Sequence, residues 1–119
     1  MTCAIMHIEK KLDALGLTLM DLDRAYRANA SGARFVSHLA VGNLLYLSGT
    51  TPVRDGQPHL LGVVGADLSL AQGYEAARYA LLSSLAAIKY ALGDLDRVEQ
   101  AVQLIGFVNS APGFHDQPR

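Results

Sequence analysis

Ser48 and Gly49 follow the apolar run Leu44-Leu45-Tyr46-Leu47, with Gly42-Asn43 before it and Pro52-Val53-Arg54-Asp55-Gly56 behind it. A hydroxyl beside a glycine at the mouth of a strand is a place where a small ligand can meet the backbone. Gly49 has no Cβ to hold the ligand off its N–H, and Ser48 adds a donor or acceptor. The competing reading is a strand end where Ser and Gly merely close a turn. A covalent serine mechanism is disfavoured, because Ser48 lies in no G-x-S-x-G elbow and no His/Asp pair can be assigned to activate it. Arg54 carries a planar fork that fits a carboxylate in bidentate fashion, and its neighbour Asp55 offers the alternative of a solvated turn pair.

Other chemistry-bearing residues are scattered. His7, His38, His59 and His115 show no ligand spacing and have no cysteine partner, so the sequence calls for no metal and no cofactor. His115-Asp116 lies in a Pro/Gly-rich stretch without supporting ligands. Glu75 and Arg78, three apart, read as a surface ion pair on a helix. Asn109 is read as a strand-terminating residue, with a polar cleft role as the alternative.

These groups must be placed by a small set of elements. Ile8, Leu12 and Leu15 ahead of Gly16 predict a short amphipathic helix. Residues 20–33 read as an irregular connection. Residues 35–41 and 44–47 form a hairpin about Gly42-Asn43, and residues 60–64 offer a further short strand. Ser69 with Gln72 makes a capping box, opening a helix of about 23 residues and roughly 34 Å that ends at Gly93. Its expected stripe is Leu70, Tyr74, Ala77, Leu81, Leu85, Ile88 and Leu92. Gly73 inside it costs on the order of 1 kcal/mol against alanine and hints at close packing. Residues 98–109 alternate as a strand that is apolar on both faces. One face suits the helix, and the other, carrying Ala101, Ile105 and Phe107, suits a second subunit.

Composition narrows the function classes. The 119 residues are 50% hydrophobic and 18% charged, which fits one globular domain with a core rather than a disordered chain. Ten basic residues against eleven acidic ones leave a net charge of -1, and no basic, aromatic-studded groove appears. This argues against nucleic acid as the main ligand and favours small partners. The single cysteine, Cys3, suits a reducing compartment. No apolar run approaches a bilayer span and no signal-peptide core is present, so the expected location is cytoplasmic, with no membrane partner.

Four stretches also carry a resemblance. Gly42 to Gly56, Gly65-Ala66-Asp67-Leu68-Ser69-Leu70 with Gln72 to Arg78, Ala91 to Val98, and Leu104 to Ser110 match in order and spacing a subfamily of the RidA (YjgF-like) family, also labelled endoribonuclease L-PSP. Residues 33–119 form the matching region of a single domain, and residues 1–32 supply an N-terminal helix and connection. The resemblance implies an α+β, chorismate-mutase-like domain: a mixed β-sheet covered by helices on one face, lacking the second helix and closing strands of the family. It implies a homotrimer with ligand clefts between subunits, and hydrolysis of reactive enamines and imines such as 2-aminoacrylate to 2-keto acids and ammonia.

The alternatives are a non-catalytic oligomeric binder of small metabolites and, from the family's older label, a ribonuclease and translation inhibitor. The implied substrate-binding residues are Phe35, Ser48, Gly49 and Arg54, facing a carboxylate-bearing ligand. Phe35 stands where many members have tyrosine, and Thr50 where glutamine is frequent. The arginine and acidic residue that members use for deamination match no position here. The catalytic residues are therefore unassigned, and the 119-residue chain is expected to be a poor deaminase that a longer C-terminus would restore.

Overall fold

The computed structural model describes residues 7–28 and 35–119. Cys3, Asn29, Ser31 and Gly32 fall outside them. The centre of the fold is the long helix. Leu70–Leu92 forms α3, 23 residues as the spacing predicts. Ser69 Oγ accepts from Gln72 N–H at 3.2 Å while Gln72 Oε1 accepts from Ser69 N–H at 2.9 Å, so two otherwise orphaned donors are satisfied at its start. Gly93, at φ +80°, closes its end and donates to the Lys89 carbonyl.

The buried residues of α3 are Leu82, Ala86 and Ala87. The expected stripe is only partly covered, with Tyr74 59% and Leu81 48% exposed. The buried side of α3 is thus Leu82 with Ala86 and Ala87, where the two small alanines let the helix approach its neighbours closely. The helix is apolar on more than one side.

Against α3 lies a hairpin of β1, His38–Val41, and β2, Leu44–Leu47. The strands are antiparallel with Leu39 opposite Tyr46 and Val41 opposite Leu44. Gly42 takes φ +60° while Asn43 stays at negative φ, as in a II′ turn whose twist suits a hairpin. Side chains alternate, so Leu39, Val41, Leu44 and Tyr46 share the face turned away from α3, and all four are exposed. A second small ladder joins β3, Val53–Arg54, to β4, Gln57–Pro58, around Asp55-Gly56.

Three expectations are revised. The stretch read as connection contains a helix, Leu22–Ala28 (α2), and Asp21 caps it by accepting from Arg24 N–H at 3.1 Å; its polar composition hid the element, although an aspartate before helix formers was a readable start signal. Residues 60–64 form no strand. Val64 instead makes isolated parallel bridges to Leu68 and Ser110, with its N–H on the Asn109 carbonyl and its carbonyl on the Ala111 N–H, both at 2.9 Å. Residues 98–109 form no ladder among the described residues, and Phe107 is 94% exposed. A strand apolar on both faces needs neighbours on both sides, and the hairpin and α3 do not reach it.

Val64 also explains Gly73. A Cβ at Gly73 would come within 3.0 Å of a Val64 methyl, so the glycine permits the 63–68 loop to lie on α3, as the cost of a mid-helix glycine hinted.

The N-terminal helix α1, His7–Ala14, is fastened from far along the chain. Asp96, in the 3-10 turn Leu95–Arg97, accepts from the backbone N–H groups of His7 at 2.7 Å and Ile8 at 2.9 Å. A carboxylate thus caps a helix start 89 residues away. Lys89 Nζ reaches Glu9 Oε2 at 2.7 Å as a second tie. The N–H groups of His7 and Ile8 hold the Asp96 carboxyl below the usual aspartate range, with the His7 side chain adding to them and burial opposing.

Because the native pKa is lowered, this contribution to stability is present above the ordinary value of about 3.9 and is lost as the pH falls through the native one. Asp96→Ala is expected to release α1, seen as lost amide-exchange protection at residues 7–10, and to remove this component of the acid dependence. Unchanged protection in the variant overturns the capping role.

Candidate functional site

Ser48 and Gly49 leave β2 at the end where the chain enters β1. Ser48 N–H donates to the Ser37 carbonyl at 2.9 Å, and Ser48 Oγ donates to the Val36 carbonyl. The hydroxyl proton is therefore committed to the backbone, and what Ser48 can offer outward is its acceptor lone pairs. Ser37 is itself buried, with Oγ 2.9 Å from His38 Nδ1, so the platform below Ser48 is fixed. Phe35, adjacent to Val36, is 57% exposed. Phe35 thus precedes the residue whose carbonyl holds the Ser48 hydroxyl.

On the other flank the chain is stitched to α3. Thr50 Oγ1 lies 3.0 Å from the Ala80 carbonyl and 2.7 Å from Ser84 Oγ, while Ser83 Oγ donates to the Thr51 carbonyl at 3.3 Å. The threonine that stands in place of the frequent glutamine is an anchor between the site and the helix. Sequence reasoning missed this pairing. Its signal was the Ser83-Ser84 pair inside an otherwise apolar helix, where hydroxyls need a partner or a carbonyl four residues back.

Gly49 is left between these two anchors. No atom lies within 4 Å of where its Cβ would stand, and its N–H makes no hydrogen bond among the described residues. An open backbone donor on a rigid edge can receive a ligand oxygen or nitrogen without displacing protein.

Arg54 stands apart from that edge. Its Nε is 3.8 Å from Asp55 Oδ2, its guanidinium sits 5.7 Å from the Tyr79 ring centroid, and its side chain is 53% exposed. It forms a turn pair stacked on an aromatic ring, with its contacts to Asp55 and Tyr79 and not to Ser48 or Gly49 among the described residues. His59 belongs to the same cluster. Its Nε2 is 3.3 Å from Glu75 Oε1 and its ring meets Tyr79 edge-on at 5.0 Å. Glu75 therefore pairs with His59 and not with Arg78, as the helical spacing had suggested, and Arg78 makes no ion pair or hydrogen bond among the described residues. Asn109 uses its backbone carbonyl to hold Val64. Among the described residues no three His, Cys, Asp or Glu side chains are grouped to hold a metal ion, and no helix is long and apolar enough to cross a membrane.

An α3-type helix on a hairpin, with an open Ser-Gly edge between them, defines an α+β domain of the YjgF/chorismate-mutase-like kind. The family model described as "YjgF/chorismate_mutase-like, putative endoribonuclease" matches residues 9–119, and the chain belongs to that family. It is 40% identical over 90 residues to Protein TCP17 of Trypanosoma cruzi, covering 76% of this chain and 56% of that protein. A crystal structure of the protein Atu1372 from Agrobacterium tumefaciens, described as of unknown function, superposes with a TM-score of 0.79 at 36% identity, over 93% of this chain and 63% of that one. A crystal structure from Shewanella oneidensis MR-1, described as a "putative endoribonuclease", gives a TM-score of 0.67 at 34% identity, over 77% of this chain and 57% of that one. The chain thus spans somewhat more than half the length of these relatives.

Proposed function

We propose that the protein acts in the cytoplasm as a homo-oligomer, a trimer by family resemblance, that hydrolyses reactive enamines and imines of the 2-aminoacrylate type. An enamine first tautomerises to the imine, gaining a proton at its terminal carbon and losing one from nitrogen. Water then adds to the carbon of the C=N bond, the carbinolamine collapses, and a 2-keto acid and ammonia are released. The observation that carries this reading is the open Gly49 N–H, held on a rigid edge by Ser48 on one side and Thr50 on the other. Such an edge can orient a small planar substrate without reorganising, which is what positioning catalysis needs. Phe35 supplies an aromatic wall beside it.

One observation favours a second reading. No guanidinium and no carboxylate is hydrogen-bonded at Ser48 or Gly49 among the described residues, and Arg54 is occupied by Asp55 and Tyr79. A site with a polar edge but no anchor for the anion and no acid to orient water suits a binder of small carboxylates that turns nothing over. The ribonuclease reading that accompanies the family description has less support here, because a net charge of -1 gives phosphates no attractive field.

The test measures pyruvate release from 2-aminoacrylate generated in situ, with the 119-residue chain and with one lengthened to the span of its relatives. The longer chain is expected to accelerate release and the 119-residue chain to do so weakly. Gly49→Val in the longer chain keeps the N–H but places a branched side chain over it, so blocking the ligand's approach should lower the acceleration by about a hundredfold, the scale on which one such donor counts. Saturable carboxylate binding with release at the uncatalysed rate in both lengths replaces the hydrolase with the binder.

A further inference from the structure

A hollow of about 280 Å³ lies between Leu17, just past α1, and the first turns of α3, where Ala71, Tyr74, Glu75, Arg78 and Tyr79 line it. Its walls are set by contacts outside the hollow. Leu17 is placed by its N–H on the Leu12 carbonyl at 2.9 Å. The Tyr79 ring is held by the edge of His59 and by the Arg54 guanidinium, and His59 also fixes Glu75 through Oε1. What these contacts leave unused faces a ligand: the Arg78 guanidinium, the second oxygen of Glu75 and the hydroxyl of Tyr74 have no partner among the described residues.

The charges narrow the choice. An isolated anion drawn to Arg78 meets the carboxylate of Glu75, and an isolated cation drawn to Glu75 meets Arg78. A molecule carrying both charges a few ångströms apart satisfies both, because residues three apart on a helix present side chains about 5–6 Å from one another. The two tyrosines and Leu17 offer a ring-sized apolar surface, and the volume is that of a metabolite smaller than a drug-sized ligand. We propose that this hollow binds a free aromatic α-amino acid, with its carboxylate on Arg78, its ammonium on Glu75 and its ring among Tyr74, Tyr79 and Leu17. The hollow ends on α3 at Tyr79, next to Ala80, whose carbonyl holds Thr50.

The probe is L-phenylalanine, titrated into the 119-residue protein by calorimetry and by amide chemical shifts. Binding is expected with a dissociation constant on the order of 0.1 to 1 mM. Shifts should centre on residues 17, 74, 75, 78 and 79. 3-Phenylpropionate, which lacks the ammonium, and phenethylamine, which lacks the carboxylate, should each bind at least about tenfold more weakly, as should L-phenylalanine to Arg78→Ala or Glu75→Gln. Arg78 and Glu75 are on the helix surface, so these variants should fold, and unchanged far-UV circular dichroism checks that they do. No binding up to about 10 mM overturns the proposal, since affinity so weak is below the worth of two charge-assisted contacts. So does binding that survives Arg78→Ala, which belongs to another site, and so does equal binding of the two singly charged analogues.

Discussion

Leu95→Ala should lower the free energy of unfolding by about 2–5 kcal/mol, the range for deleting a well-packed leucine side chain. Leu95 is 1% exposed and is the largest fully buried side chain among the described residues. It sits in the 3-10 turn that touches both α1 and α3. Among the described residues the other buried apolar side chains are Val64, Leu82, Ala86 and Ala87, a set too small to absorb the cavity by rearrangement. Since a domain of this size is stable by only about 5–15 kcal/mol, the loss takes a large share of the whole. Urea unfolding should show a lower midpoint with an unchanged slope. Leu61→Ala, at a side chain 75% exposed and away from the 102–107 patch, is the control and should stay within about 0.5 kcal/mol. A Leu95→Ala shift no larger than the control's means that the turn does not organise the core.

Phe107→Asp should do the opposite, leaving the fold intact and abolishing assembly. Phe107 is 94% exposed, so a charge there costs the isolated chain almost nothing. Around it Val102, Leu104 and Ile105 are 64–81% exposed, and the outward face of the hairpin adds Leu39 and Tyr46 at 62% and 57%. Apolar exposure on this scale suits a surface that is covered rather than left to water. If the cover is a second copy, as the proposed homo-oligomer requires, an aspartate buried there without a partner costs about 3 kcal/mol or more and weakens association beyond a hundredfold. Sedimentation at micromolar concentration should show wild type heavier than one chain and Phe107→Asp at the mass of one chain, with equal unfolding midpoints once both are dilute. A wild type that sediments as a single chain, or a variant of unchanged mass, removes the interface.

Local signals in this chain were legible because the forces behind them are local. The capping box at Ser69 and Gln72, the stop at Gly93 and the Gly42-Asn43 turn act within a few residues, and each element stands where those residues put it. The cost of Gly73 pointed to a close contact, but which group required it was Val64, known only once the 63–68 loop lay on the helix. The spacing of Glu75 and Arg78 suggested a pair, yet Glu75 turned to His59, because a partner supplied by another element outcompeted the neighbour on its own helix.

The candidate site divides in the same way. Order and spacing of the Gly-Asn, Ser-Gly, Gly-Ala-Asp and Phe-Val-Asn-Ser stretches identified the family and placed Ser48 and Gly49 at the edge of a strand. Tertiary structure decided what those residues have left to offer: the hydroxyl proton of Ser48 is spent on Val36, Thr50 is tied to Ala80 and Ser84, Arg54 stacks on Tyr79, and Gly49 stays open. It also decided which side of α3 is buried, choosing Leu82, Ala86 and Ala87 over the residues of the expected stripe. Periodicity fixes that a helix has an apolar side, whereas which side meets a neighbour depends on how closely two backbones can approach, and that distance is a property of the packed pair.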